Sequence, residues 1–337
     1  MVSHMVKTAE VIQIVPRLPP PEEGVGSFAL ALAGALRDRH GIASRFAAVA
    51  ASPAALGEAL AGADLPVLLH YAGYGYQPRG CPTWLVAGLR DWKRRGGRLV
   101  TVFHEVYAGG PPWRSSFWLS PLQRRLAAEL ARLSDGMVTS LETYRRLLSR
   151  LVPEKEAEVL PVFSTVGEPA AVPPLAERRR CLVVFGGPGA RGRAYGPLAA
   201  QLTAACRTLG IEEICDVGPA ASLPAPPGPV PVRRLGEMAA GELSSLLLSS
   251  LAGFTTYPAP FLGKSTVFAA YCAHGLLPVC ASTPAGDDDP PPPPYWPAGA
   301  APAAPGALQE TAGRARAWYA GHGIERHAAR VRDLLWP

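Results

Sequence analysis

The 337-residue chain holds no apolar run of the roughly 18–20 residues that cross a bilayer. Its amino terminus carries no signal-peptide pattern, and residues 1–8 read as a polar lead-in, so a cytoplasmic protein is expected. Cysteine is scarce and unpatterned. Cys81, Cys181, Cys206, Cys215, Cys272 and Cys280 form no CxxC pair and several lie in apolar runs, which argues against zinc and for buried free thiols in a reducing setting. The net charge of +6 comes mainly from scattered arginines without aromatic interleaving or a nucleic-acid motif. That balance excludes nucleic acid as the expected partner and hints at anionic ligands or a membrane surface.

What is present is organised around Leu251–Cys280. A short apolar run to Tyr257 and a turn through Pro258 and Pro260 lead to Gly263, Lys264, Ser265 and Thr266. A helix over 267–273, a stop at His274-Gly275 and a strand over 276–280 follow. Backbone N–H groups at a helix start, the helix dipole and a lysine make a phosphate site. A P-loop needs a glycine five residues before Gly263, where Pro258 stands, so a P-loop nucleotidase is set aside. The alternative is an ordinary helix start that Ser265 or Thr266 merely caps.

The rest of the chain alternates strand and helix. Strand 11–15 precedes a loop with Gly24 and Gly26 and a helix over 27–39 whose Phe28, Leu32 and Leu36 repeat at helical spacing. A strand at 44–48, a helix at 54–61 and the apolar strand 66–70, ending in His70, follow. The loop 71–76 carries Tyr74 and Tyr76 at that strand's carboxyl end, where open α/β sheets bind ligands. After a helix at 83–95, strand 98–103 ends in His104 and Glu105, so two consecutive strands finish in histidine. The stretch 107–121 reads as a loop with Trp113 and Trp118; binding an acceptor is one reading and touching a membrane is another.

A helix at 122–133, a strand at 135–139, a helix at 141–151 and a strand at 158–163 complete the first half. Residues 164–180, poor in periodicity, are expected as the linker. Alternation restarts with strand 181–185 and a glycine-rich basic loop holding Gly186, Gly187, Arg191 and Arg193. Helix 198–209, strand 213–217 with Gly218, strand 231–235, Glu237 in a turn and helix 240–249 follow. Asp287–Asp289 and Pro290–Pro294 are expected as an exposed tether, and 308–335 as one or two closing helices. The fold class is therefore α/β, with two Rossmann-like parallel-sheet domains facing across a cleft that could hold two large substrates. The expected domains are 1–168, 169–312 and a closing helix at 313–337.

These residues resemble the GT-B glycosyltransferases related to retaining family four, and among them uncharacterised bacterial, notably cyanobacterial, members. Pro16-Arg17-Leu18 and Gly24-Val25-Gly26 before a helix, the strand ending His104-Glu105, and Ser134-Asp135-Gly136 running to Ser140 carry the likeness in the first half. Phe185-Gly186-Gly187 with Arg191-Gly192, Leu235-Gly236-Glu237, and Ala273-His274-Gly275 running to Val279 carry it in the second. The resemblance implies sugar transfer from a nucleotide-diphosphate donor to a glycan, lipid-linked or small-molecule acceptor. It further implies retention, no metal or other cofactor, and a role in polysaccharide biosynthesis in the cytoplasm or at the inner membrane face.

On that reading His104, Lys264 and Arg191 are catalytic. Gly24, Gly26, Gly186, Gly187, Arg193, Gly218, Glu237, Gly263, Ser265 and Thr266 bind the donor. His70, Tyr74, Tyr76, Glu105, Trp113 and Trp118 meet the acceptor. One departure stands out: the family's two glutamates fall, counting back from Gly275, at Ala270 and Leu262. Either Glu237 or another polar group substitutes, the donor differs, or catalysis is lost. The competing readings are a non-catalytic nucleotide-sugar or glycan-binding relative, and an isomerase or epimerase on the same fold.

Overall fold

The computed structural model describes residues 9–19, 24–62, 64–226, 228–281 and 290–337. The lead-in 1–8, Pro20 to Glu23 and Asp287–Asp289 lie outside the described residues. The chain divides into two compact units, one ending at Pro161 and completed by Ile324–Pro337, the other Val162–Gly323.

The first unit runs β1 (Glu10–Val15), α1 (Gly24–His40), β2 (Ala43–Ala48), α2 (Pro53–Leu60), β3 (Val67–Tyr71), α3 (Gly73–Tyr76), α4 (Thr83–Lys93), β4 (Leu99–Phe103), α5 (Ser115–Leu133), β5 (Gly136–Thr139), α6 (Glu142–Leu151) and β6 (Glu158–Val159). Its six strands form a parallel sheet in the order β2-β1-β3-β4-β5-β6. β3 and β4 are buried along their whole length, which is why they read as apolar runs rather than alternating ones. The core joins Ile12, Leu69 and Phe103 of the sheet to Leu89 and Trp92 of α4 and Leu130 of α5.

The second unit runs β7 (Arg179–Phe185), α7 (Pro188–Tyr195), α8 (Ala199–Leu209), β8 (Glu213–Val217), β9 (Val232–Gly236), α9 (Ala240–Ser249), β10 (Ser250–Thr255), α10 (Thr266–Ala273), β11 (Leu277–Cys280), β12 (Trp296–Pro297) and α11 (Pro305–Ala320). Its parallel sheet has the order β12-β11-β10-β7-β8-β9. Along β7, Leu182 and Val184 enter one core with α8 and α11, while Cys181 and Val183 enter another with α9 and α10. Period-2 alternation thus covers both faces of one sheet. The last helix, α12 (Ile324–Leu335), belongs to the first unit. Glu325 pairs with Arg39 of α1 at 2.6 Å, and the Leu334 carbonyl accepts from Arg98 Nε at 2.8 Å.

Several expectations change. The last strand of the first half keeps only Glu158–Val159, not 158–163. α5 starts at Ser115, so Trp118 and Pro121 are helical rather than in a loop. Arg191 and Arg193 lie within α7, not a loop. Residues 164–180 are not a linker, since the second unit begins at Val162. Their backbone lacks periodicity because side chains hold it: the Tyr319 hydroxyl accepts from Ser164 N at 2.8 Å, and Ser164 Oγ accepts from Val166 N at 3.2 Å.

Buried Arg178 donates to the carbonyls of Pro173, Leu247, Ser250 and His274, gathering the ends of α9 and α10. Burial pushes its guanidinium down to about 10. The prolines from Pro292 are half-buried and lead into β12, so this part of the expected tether packs on the second unit. The closing region expected at 308–335 is two helices, α11 and α12, each belonging to a different unit, and 313 falls inside α11 instead of starting an element.

Candidate functional site

In each sheet the strand order reverses once, between β1 and β3 in the first and between β7 and β10 in the second. Open α/β sheets bind ligands at the carboxyl ends of the strands beside such a switch.

In the second unit three turns converge there. β7 ends at Gly186 and Gly187, β8 at Gly218, and β10 in the turn that leads to α10. Gly186 has φ +133° and Gly218 φ +144°, a region that side-chain-bearing residues avoid. A Cβ on Gly218 would lie 2.2 Å from the Gly186 carbonyl oxygen, so the two turns touch only because no side chain stands between them. Gly187 precedes the first turn of α7, and Lys264, Ser265 and Thr266 open α10. Val267 of α10 would be 3.5 Å from a Cβ on Gly186, which brings both helix starts to one end of β7. α10 can sit this low because Gly253 of β10 leaves room for the Tyr271 ring, which a Cβ there would meet at 2.5 Å.

Beneath the glycine turns Arg191 is buried. Its guanidinium grips the buried Asp216 carboxylate, with Nε 3.0 Å from Oδ1 and Nη2 also on Oδ1. Nη1 donates to the Pro219 carbonyl at 2.5 Å. All three guanidinium nitrogens donate inside the protein, and buried Arg191 braces the two turns rather than offering charge to a ligand. Burial and the neighbouring Asp216 carboxylate push the Tyr195 phenol up.

Arg193 is exposed. Lys264 is partly exposed at the end of the 3₁₀ turn Ala259–Lys264. Ser265 is the N-cap of α10, its Oγ accepting from Phe268 N at 3.2 Å, and Thr266 is the first helical residue. Buried Gly263 has its carbonyl taken by Val162 N at 2.8 Å. Glu237 is exposed just past β9. Leu262 and Ala270 are both fully buried in apolar surroundings.

In the first unit, alternation sets Gln13, His70 and His104 on one face of the sheet, since Gln13 pairs with Leu68 and His70 with Val102. His70 is fully buried. Its Nε2 lies 2.9 Å from Gln13 Oε1, and its Nδ1 lies 3.2 Å from Nε2 of the partly exposed His104. Gln13 donates from Nε2 to Ser44 Oγ at 2.8 Å, which leaves its oxygen for His70. His70 therefore carries its proton on Nε2, and its Nδ1 accepts from His104 Nε2–H. Burial pushes His70 down to about 3, so it stays neutral. Phe28 of α1 meets both rings edge-on, at 5.9 and 5.1 Å.

A separate cavity of about 250 Å³ opens at the ends of β3 and β4, lined by Tyr71, Tyr74, Glu105, Tyr107, Gln123 and Tyr144 among others. Buried Gln123 of α5 frames it. Its Oε1 accepts from Ala108 N at 2.8 Å, and its Nε2 donates to the Arg79 carbonyl at 2.8 Å and to Tyr74 OH at 3.2 Å. A larger cavity of about 520 Å³, lined by Pro66, Arg98 and Trp336, lies at the amino ends of β3 and β4, the wrong end for ligand chemistry in an open sheet.

Of the expected acceptor residues, Tyr74 and Glu105 line the cavity and the others do not. Tyr76 is fully buried with its hydroxyl 2.9 Å from the His70 carbonyl, and His70 itself is sealed in, so neither can touch a ligand. Trp113 and Trp118 point to solvent, 84% and 71% exposed. Gly24 and Gly26 sit in the first turn of α1 instead of a loop. Gln13, Gln123 and Asp216 were missed. Gln13 in EVIQIV and Asp216 in EICDV were legible as polar residues inside apolar strands. Gln123 carried no such signal.

No family model matches the chain, and no curated protein matches it in sequence. Solved structures match along nearly its whole length. The Anabaena protein HepE, solved in complex with UDP and with UDP-glucose, is 12% identical with a TM-score of 0.57 over 96% of this chain and 99% of that chain. A Listeria monocytogenes protein assigned as a UDP-N-acetylglucosamine 2-epimerase is 13% identical, TM-score 0.54, over 96% of this chain and 95% of that chain. The spinosyn forosaminyltransferase SpnP is 14% identical, TM-score 0.50, over 98% of this chain and 100% of that chain. The chain has a GT-B-like fold of two six-stranded parallel sheets.

Proposed function

We propose that the chain is a GT-B glycosyltransferase related to retaining family four, moving a sugar from a nucleotide-diphosphate donor to an acceptor. One observation carries the reading: the side-chain-free approach of Gly218 to Gly186 at the sheet switch, beside the starts of α7 and α10. Such a turn lets a ligand's diphosphate lie against main-chain N–H groups, and two helix dipoles favour its charge. The likeness to HepE, whose complexes hold UDP and UDP-glucose, supports the same donor class.

Transfer builds positive charge on the sugar and negative charge on the leaving diphosphate. Lys264, Arg193 and the N–H groups after Gly187 would stabilise that diphosphate without a metal ion, most strongly where water is excluded. Gly186, Gly218 and Arg191 act by holding the turns. Glu237 and Thr266 are the remaining polar candidates for the nucleotide, and Gly24 and Gly26 are the first unit's glycine candidates for the donor. His104, fixed through His70 and Gln13, is the first unit's candidate for a catalytic role. With retention, a leaving-phosphate oxygen can itself take the acceptor's proton, so no side-chain base is required. The acceptor would enter the cavity of Tyr74, Glu105 and Gln123, where tyrosine rings suit stacking against a sugar.

A second reading, a nucleotide-sugar-binding relative without catalysis, is favoured by the apolar, fully buried Leu262 and Ala270, where the family carries glutamates. Calorimetry and thermal shift against UDP-, GDP-, ADP- and TDP-sugars test the donor site, because a ligand of the folded form raises the midpoint. No shift for any of them rejects both readings. Binding without sugar release, hydrolysis or transfer selects the second. Conversion of the nucleotide sugar without an acceptor would make the chain an epimerase instead.

A further inference from the structure

We propose that the start of α5 is a docking ridge for an anionic lipid surface. Four large apolar side chains stand out within ten residues: Trp113 at 84%, Trp118 at 71%, Phe117 at 42% and Leu122 at 40% exposed. Phe117, Trp118 and Leu122 lie at i, i+1 and i+5 along α5, with exposed Pro121 between them, so they form one strip on its first two turns. The inner face of the same helix, at Leu126, Ala127, Leu130 and Ala131, is buried in the first unit. The strip is therefore not a displaced core face.

Trp118 and Phe117 are fixed in this outward pose. Trp118 Nε1 donates to the Pro112 carbonyl at 2.8 Å, so its one polar atom is satisfied from within. The Phe117 ring stands edge-on to it at 5.2 Å. What faces outward is hydrocarbon in a set conformation, a costly surface to leave in water.

Charge selects the occupant. Arg114, Arg124 and Arg125 are exposed on and beside the ridge. Exposed Arg79 is tied to it because its carbonyl accepts from Gln123 of α5. None of the four forms an ion pair among the described residues, though Arg124 lies over the Tyr107 ring, 5.4 Å from its centroid. No aspartate or glutamate occurs between Val106 and Ala128. Interfacial tryptophans seat at the headgroup level, and each arginine near an anionic surface adds about fivefold to binding. A protein partner would also meet aromatic and arginine side chains, but this strip offers it no exposed carboxylate to exchange charge with. The proposal needs only the surface of the first unit and stands apart from donor binding in the second.

The test is co-sedimentation of the full chain with vesicles of phosphatidylcholine alone and of phosphatidylcholine with phosphatidylglycerol. The chain is expected to sediment with the anionic vesicles, to be released by salt, and to show a blue shift in tryptophan emission on binding. Trp113→Ser with Trp118→Ser should weaken binding by about tenfold or more. Arg114→Gln with Arg125→Gln should weaken it only on anionic vesicles. Melting temperature and nucleotide-sugar binding should be unchanged in both variants, which separates a docking defect from unfolding and from failure of the donor site. Absence from the anionic pellet, or tryptophan variants that bind like the parent, overturns the proposal. So does concentration-dependent self-association that the same variants abolish, which would make the occupant a second copy of the chain.

Discussion

Arg191 Nε lies 3.0 Å from Asp216 Oδ1, with both side chains buried under the turns of Gly186 and Gly218. An arginine at the end of a glycine-rich stretch invites reading as a phosphate ligand. Here its charge is matched from below, and its remaining reach ends at the Pro219 carbonyl. The pair fixes the turns, and phosphate chemistry is left to main-chain N–H groups and to Arg193 and Lys264.

Replacing Arg191 by methionine should therefore act on stability first. Breaking a buried pair strands the opposite charge and costs about 3–5 kcal/mol, whereas removing both charges recovers much of it. Urea unfolding is expected to show Arg191→Met strongly destabilised and Arg191→Met with Asp216→Leu close to the parent. A single variant of parental stability that has lost nucleotide binding would return Arg191 to the ligands.

Lys264→Ala and Arg193→Ala should leave the melting temperature near the parent value, since neither side chain is buried. A charge-assisted contact to phosphate is worth about 1.5–3 kcal/mol, so each variant should bind a nucleotide-diphosphate sugar roughly ten- to a hundredfold more weakly. Calorimetry on the parent and both variants checks this. Unchanged affinity in both would reject the cationic cradle.

Gly218→Ala should fail twice. Its Cβ would enter the Gly186 carbonyl at 2.2 Å, and its φ of +144° suits glycine alone. A loss of about 2 kcal/mol or more is expected, together with loss of nucleotide binding. Gly313→Ala, where a Cβ would meet nothing within 4 Å, is the matched control.

The buried histidines predict acid sensitivity. Burial pushes His70 down to about 3 and His327 down to about 4, although His327 Nε2 also lies 2.9 Å from the Pro161 carbonyl. In the unfolded chain both titrate near about 6.5, so below that pH the unfolded state takes up protons that the folded state refuses. The stabilisation is complete above about pH 6.5 and is lost as pH falls towards the folded values, by about 1.4 kcal/mol per pH unit for each histidine. Urea unfolding between about pH 7 and about pH 5 should show this slope, and His327→Phe should lessen it. A flat profile would contradict the neutral, buried assignment.

How much was legible depended on whether a signal was local. Strand 213–217 and helix 240–249 have the bounds the sequence predicts, because a short segment bounded by turns and an apolar period of 3.6 act within the segment itself. The helix stop at His274-Gly275 was equally plain, and Gly275 has φ +64°. Local rules put Trp118 in a loop because the Pro111-Pro112 pair and Pro121 on either side of it are breakers, yet α5 runs through Pro121 on the packing of its later turns. Residues 164–180 looked like a linker because their order comes from side chains far along the chain, Tyr319 above all.

The sequence by itself determined the α/β alternation, the two parallel sheets and the glycines that follow β7 and β8, whereas β3 runs past His70 to Tyr71. Those follow from residue type and spacing, which act over a few bonds. Only the tertiary structure decided what each polar side chain is for. Arg191 meets Asp216, His70 meets Gln13, and Tyr76 meets the His70 carbonyl because the sheet register brings them together. A charge or hydroxyl whose donors an internal partner takes up, as Asp216 does for Arg191, is not left for a ligand, and that partner can stand anywhere in the chain.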